Sequence, residues 1–248
     1  MQFQSPLIEA RLIRRYKRFL ADMELGDGRV VVAHCANPGS MLGMAEPGAR
    51  CWLADVAGPG RKLGYSWKLV ESGGLAVVDT AVANKVVGEA LRARRVPGFE
   101  RFGRVRAEVP YGAGSRVDFV LSDAGGEAGR DAGAVHLEVK SVTLRRGAAT
   151  SGGWAEFPDA VTARGARHLD ELAALARAGR RAVLLFLVAR EGCAGVRVAA
   201  DIDPAYARAF DAARAAGVEV LALGTRISLD GVEAGALMPV DTGLQAGV

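Results

Sequence analysis

The chain has 248 residues, half of them hydrophobic and 24% charged, with a formal net charge of +4. This is the composition of an ordinary globular protein, not of a disulfide-stapled scaffold, and its mild basicity suits a polyanionic partner without requiring one. The opening residues, Met1-Gln-Phe-Gln-Ser-Pro6, lack the apolar core of a secretory signal, and the longest apolar run, 182–189, is too short to span a bilayer.

Residues 1–80 are short apolar segments broken by turn residues. The stretch 12–25 fits neither helical nor strand periodicity cleanly and is assigned to strand because the segments after it (29–33, 49–54, 62–70 and 74–78) are strands. Asn37-Pro38-Gly39 and Glu46-Pro47-Gly48 punctuate them, and this spacing suits a five-stranded barrel of the oligonucleotide-binding (OB) type. From Thr80 the texture changes. Helical spacing over 81–95 ends before Pro97, and strands follow near 104–109, over 116–121 and over 136–140, with a Gly/Ala-rich turn at 123–133. A helix over 162–178, a buried strand over 182–189, a helix over 204–216 and a strand over 218–223 complete an α/β layout with a mixed sheet. The expected division is a barrel over 1–80 and a mixed-sheet domain over 81–248.

Two strands carry charge where a buried strand would not. In His136-Leu-Glu138-Val-Lys140, residues two apart share a face, so Glu138 and Lys140 point together and Val139 points away. Arg116-Val-Asp118-Phe on a neighbouring strand would add a second carboxylate. Two carboxylates and an ammonium in one pocket suit Mg²⁺ or Mn²⁺ bound by Asp118 and Glu138, with Lys140 orienting a water for attack on a phosphodiester. A cross-strand ion pair at a sheet edge would give the same spacing. Lysine is scarce here, five residues against a large excess of arginine, and an arginine cannot replace a lysine whose proton affinity must shift. Glu89, on a helix face with Lys85 and Arg92, either completes the metal shell from the preceding helix or belongs to a solvated ion-pair ladder.

Basic residues Arg14, Arg15, Lys17 and Arg18 alternate with Tyr16 and Phe19, and Arg61 and Lys62 precede Tyr65 and Trp67. Charges that track a backbone beside aromatics that stack on bases are the mixture used by nucleic-acid grooves, although barrel aromatics also fill cores. Thr162 is a candidate helix cap, with Arg164 and His168 one turn apart on a face suited to a phosphate or to plain solvent. The three cysteines, Cys35, Cys51 and Cys193, have no paired spacing and read as free thiols in a reducing, cytoplasmic setting. Glycines 58, 60 and 64 form a turn rather than a phosphate loop.

His34-Cys-Ala-Asn37-Pro-Gly39-Ser40-Met41, Arg61-Lys-Leu-Gly-Tyr-Ser-Trp67, Ser115-Arg-Val-Asp118-Phe, Glu138-Val-Lys-Ser-Val-Thr143 and Phe157-Pro-Asp-Ala-Val-Thr162 stand in order along nearly the whole chain. Together they resemble the sugar fermentation stimulation protein A family. The resemblance implies an N-terminal OB barrel joined to a PD-(D/E)xK nuclease-like domain, in a bacterial DNA-binding protein linked to regulation of maltose and other sugar metabolism. It implies that Asp118 is the metal aspartate, that Glu138 and Lys140 form the E-x-K, and that Glu89 is the helix acid. No proline precedes Asp118; Arg116-Val117 stands there instead. The expected function is largely sequence-independent DNA binding, with RNA a further candidate, and a metal-dependent phosphodiesterase site. The rival is a non-catalytic DNA-binding regulator on a nuclease scaffold.

Overall fold

A computed structural model describes residues 1–111, 115–123, 133–147 and 153–242; most of the Gly/Ala-rich turn lies outside these. The first unit comprises β1 (Ile8–Tyr16), β2 (Leu20–Leu25) and β3 (Val30–Cys35), whose burial alternates, and β4 (Arg50–Asp55) and β5 (Tyr65–Glu71), which are buried on both faces. β1 pairs antiparallel with β2 and β4, β4 with β5, and a parallel β3–β5 pairing closes the barrel. Closure leaves no exposed sheet edge and gives the five-stranded OB topology expected above. The ambiguous stretch 12–25 is a hairpin, with Lys17 and Arg18 in its turn at φ 49° and 63°. Inside the barrel, Leu12, Met23, Leu53 and Trp67 are buried with Cys35 and Cys51. Burial raises both thiols, Cys51 to about 12.

Trp67 corrects the sequence reading. It is fully buried, its indole N–H donates 2.9 Å to the Leu69 carbonyl, and no face is left for a base. It lies in the barrel core with Val70, whereas a register shift against β4 turns Leu69 to the core shared with α1.

β6 (Leu75–Val77) leads into α1 (Ala81–Arg92), and a six-stranded mixed sheet follows. It contains β7 (Arg104–Tyr111), β8 (Ser115–Ser122), β9 (Val135–Val142), β12 (Arg181–Val188), β14 (Glu219–Ile227) and β15 (Val232–Leu237), in the order β15-β14-β12-β9-β8-β7. β12 is parallel to β9 and β14, with helical crossovers. One face of the sheet (Leu137, Val139, Leu185) packs on Val82, Val86 and Val87 of α1. The other (Leu184, Phe186, Val188) packs on α2 (Ala163–Arg177) and α3 (Pro204–Ala215). β10 (Leu144–Arg145), β11 (Gly153–Phe157), β13 (Cys193–Val198) and β16 (Val240–Asp241) form a small second sheet.

Asp203 ties the two helix starts on that face together. Its carboxylate accepts from the N–H groups of Ala205 and Tyr206 as the α3 cap and from Thr162 N–H at 2.8 Å, just before α2. Burial opposes its charge, but these three donors outweigh burial and hold its carboxyl below the usual range. Asp203→Ala is expected to lower stability by about 1–2 kcal/mol, the range for a lost helix cap. A urea unfolding midpoint that does not move would show that the cap contributes nothing here.

The barrel is fastened to the mixed-sheet domain by polar contacts as well as by chain continuity. Asp159 receives the Met41 N–H at 3.1 Å, and the Ser40 hydroxyl donates to its carbonyl at 2.6 Å. Gly39 makes this possible, since a Cβ there would sit 2.3 Å from the Asp159 carboxylate. Arg190 reaches the Ser72 carbonyl, and Glu191 accepts the Leu75 N–H.

Candidate active site

The site forms where β8 and β9 part. The last ladder pair on this side is Phe119 with Leu137, so the Val139 N–H has no partner on β8. Asp118 takes its place, accepting that N–H at 2.7 Å through one oxygen and the Asn84 amide at 2.7 Å through the other. On β9 the alternation puts Val139 into the core against α1 and turns Glu138 and Lys140 to the opposite face. There Lys140 Nζ donates 2.8 Å to Glu138 Oε1, which also meets His168 Nδ1 from α2. Arg164, one turn earlier, donates 3.3 Å to the other nitrogen of His168. Thr162 caps α2 by accepting the Gly165 N–H at 3.0 Å, and so sets the register that aims His168 at the sheet.

The two carboxylates differ electrostatically. Burial, reinforced by the nearby negative charge of Glu138, pushes Asp118 up to about 6. Burial also opposes charge on Glu138, but the His168 hydrogen bond and the Lys140 ammonium outweigh it and keep its carboxyl below the usual value. Glu138 Oε2 is buried and has no hydrogen-bond partner among the described residues. An unsatisfied carboxylate oxygen away from water is costly, and a cation placed against it would remove the cost.

Asp118, Glu138 and Lys140 therefore converge, whereas Glu89 does not join them. It is half exposed and pairs with the Met1 ammonium at 2.8 Å. Five positions separate it from Asn84, which puts the two on different faces of α1, and it is Asn84 that turns to Asp118. Among the described residues no three His, Cys, Asp or Glu side chains group as a metal site. Asn84 and the Glu138 contact of His168 are what sequence reasoning missed. His168 was visible only as a companion of Arg164, and nothing local to either residue reveals its partner.

Beside Lys140 and Asn84 a cleft of about 420 Å³ runs between the barrel and the mixed-sheet domain. Asn37, Pro38 and Thr80 line it from one side, and Ser141, Phe157 and Val161 from the other.

The basic residues of the barrel divide by role. Lys17 and Arg18 in the β1–β2 turn and Arg61 and Lys62 in the β4–β5 loop are exposed. Phe19, also exposed, stacks on His34 with centroids 6.4 Å apart, and His34 shares a surface pocket with Arg61 and Lys62. Arg14 lies over the Tyr16 ring and pairs with Asp22 at 2.7 Å. Arg15 is a clamp: its guanidinium donates to the carbonyls of Asn37 and Gly39 at 2.9 Å and of Ser40 at 3.3 Å, fixing the loop that meets Asp159.

Residues 13–78 match the model of the SfsA N-terminal OB domain, and residues 81–231 that of the sugar fermentation stimulation protein RE domain. The chain belongs to the sugar fermentation stimulation protein family. The homolog from Dinoroseobacter shibae is 53% identical, aligned over 99% of this chain and 98% of its own length. That from Ruegeria pomeroyi is 54% identical over 94% of this chain and 98% of its own. SfsA of Pyrococcus furiosus, solved in complex with Ca²⁺, superposes with a TM-score of 0.84 at 28% identity, covering 97% of this chain and 98% of that one. Among the described residues no helix is long and apolar enough to cross a membrane.

Proposed function

We propose that this protein is a nucleic-acid-binding phosphodiesterase that uses a divalent cation, Mg²⁺ or Mn²⁺, at Asp118 and Glu138. The observation that carries the reading is the buried Glu138 Oε2, without a hydrogen-bond partner among the described residues, on a carboxylate bonded to Lys140, which lines an open cleft. Two carboxylates fit a cation that keeps several waters and takes the rest of its shell from a substrate phosphate. The Ca²⁺ complex of the Pyrococcus relative supports a hard-cation site in this fold. When bound, such a cation supplies charge neutralisation at the phosphate and acidifies a bound water. Lys140, tethered by Glu138, holds an ammonium where an attacking water must be oriented. Asn84 fixes the Asp118 carboxylate, and Arg164 offers a cation to a flanking phosphate.

The barrel supplies the grip. OB folds hold oligonucleotides on the strand 2–3 face and on the loops joining strands 1–2 and 4–5. In this chain those positions carry Lys17, Arg18 and Phe19, then His34, then Arg61 and Lys62. The double change Arg61→Ala with Lys62→Ala is expected to weaken DNA binding across sequences and to flatten the plot of log affinity against log salt by about 1–2 units. An unchanged slope would remove the barrel face from the interface. A link to sugar metabolism would then run through nucleic acid.

A second reading, a binding regulator without catalysis, is favoured by one observation: α1 offers Asn84 where an acid would strengthen the cation site. The experiment that separates the two is incubation of the full chain with labelled DNA or RNA in Mn²⁺, Mg²⁺ or EDTA. Cation-dependent cutting establishes the enzyme; binding with no cutting in either metal establishes the regulator.

A further inference from the structure

Resting on that reading, we infer that the cleft between the domains takes a single unpaired strand of nucleic acid, one nucleotide at a time, and excludes duplex. The cleft volume of about 420 Å³ lies near the lower end of the roughly 300–1,000 Å³ typical of sites that enclose one small molecule. A duplex brings two backbones and both bases of every pair, more than a cleft sized for one small molecule holds. Nor can the cleft simply gape. The loop carrying Asn37–Met41 arches from the barrel to the mixed-sheet domain and is held at both ends. Arg15 grips its carbonyls on the barrel side, and Asp159 receives Met41 N–H and the Ser40 hydroxyl on the other. The Asn37 side chain adds a buried bond to the Val78 carbonyl at 3.1 Å. The loop is thus a strap beside the catalytic lysine.

The lining matches a nucleotide better than a bare ion or an apolar ligand. Thr80 and Ser141 bring hydroxyls to the lining, Asn37 spends its amide on the Val78 carbonyl and the Gly39 N–H, and Pro38 and Val161 offer apolar surface to a base face. Val161 is 76% exposed at the lip, an unusual position for so apolar a side chain unless something covers it. The carboxylates near the cleft do not repel a phosphate strongly. Glu156 is buried between Arg146 and Arg197, and Asp159 is occupied by the strap. Bases held by aromatic or apolar faces without sequence-reading hydrogen bonds give the sequence tolerance expected of this protein.

The test compares a labelled single strand, its blunt duplex and an RNA of the same sequence, for binding in EDTA and for cutting in Mn²⁺, with wild type and Ala160→Trp. Ala160 lines the cleft on a loop, so the indole fills space without entering the core. The inference expects the single strand to bind about tenfold or more tighter than duplex, and the variant to lose at least about tenfold in single-strand affinity, the equivalent of one lost stacking contact. RNA binding on the same terms supports it equally and identifies the sugar accepted. Duplex bound or cut as well as single strand, with no effect of Ala160→Trp, overturns it even if the nuclease reading stands. If nothing is cut, that reading fails while the binding comparison still decides the cleft. Should the variant not fold, photocrosslinking of a halogenated single strand to wild type decides instead: adducts within 37–41 or 157–162 support the inference, and adducts confined to the outer barrel face overturn it.

Discussion

Asp118→Ala and Lys140→Ala are each expected to lower cation-dependent cleavage by at least about a thousandfold while leaving binding in EDTA within about twofold of wild type. The size follows from what each group supplies. A single preorganised electrostatic partner of the transition state is commonly worth about 10²–10³ in rate, and removing one of the two carboxylates proposed to hold the cation also removes most of its affinity. Neither residue lies on the barrel face that carries Lys17, Arg18, Arg61 and Lys62, so the grip survives. Lys140→Ala leaves Glu138 its His168 contact, which keeps the buried carboxylate partnered and the fold intact. Lys140→Gln, which retains a donor toward Glu138 but not the charge, separates hydrogen bonding from charge. Gel assays with end-labelled DNA in Mn²⁺, alongside anisotropy in EDTA, check the expectation. Binding that falls in step with cleavage would mean the acidic site holds the nucleic acid instead of acting on it.

How much of this was legible in the chain depends on how local the determinant was. The face shared by Glu138 and Lys140 follows from a period of two and needs nothing else. The helices 81–92, 163–177 and 204–215 are readable from their apolar spacing and from stops at Gly179 and Gly217. Trp67 was misread because its neighbours Lys62 and Lys68 suggest a basic, aromatic surface; a register shift against β4 breaks the alternation of this strand, so no period of two marks the residue as inward. Glu89 was drawn to the site by being the acid on the right helix. Helix geometry offers two candidates there, and only the position of β8 decides for Asn84. Arg15 counted as one of a cluster until the fold brought the loop at 37–40 under it. The strands 153–157, 193–198 and 232–237 went unread because glycine and polar residues interrupt their alternation.

The metal-free protein should be stabilised, not weakened, by Asp118→Asn at neutral pH, and the gain should vanish in acid. The folded-state pKa of Asp118 is raised from 3.8 to about 6, burial being the main cause and the charge of Glu138 the second. A raised carboxyl favours the protonated fold. Its contribution to stability is fully present below the unfolded value and is lost as pH rises through about 6. A shift of about two units corresponds to at most about 3 kcal/mol, and solvent in the adjoining cleft reduces this to about 2 kcal/mol. The amide carries no charge to desolvate. Its oxygen can accept the Val139 N–H as the carboxylate does, and its NH₂ can donate to Asn84 once that amide turns over. Urea unfolding at pH 4 should therefore find the two proteins nearly equal, and at pH 7 the variant ahead by about 2 kcal/mol. Addition of Mn²⁺ should reverse the order. A ligand at a hundred times its dissociation constant stabilises the protein that binds it by about 2.7 kcal/mol, and only the wild type retains the charged ligand. A variant already weaker at pH 7 without metal would mark Asp118 as a structural bridge between β9 and α1. A wild type indifferent to Mn²⁺ would leave the strain at Asp118 and the orphaned oxygen of Glu138 without a cation to relieve them.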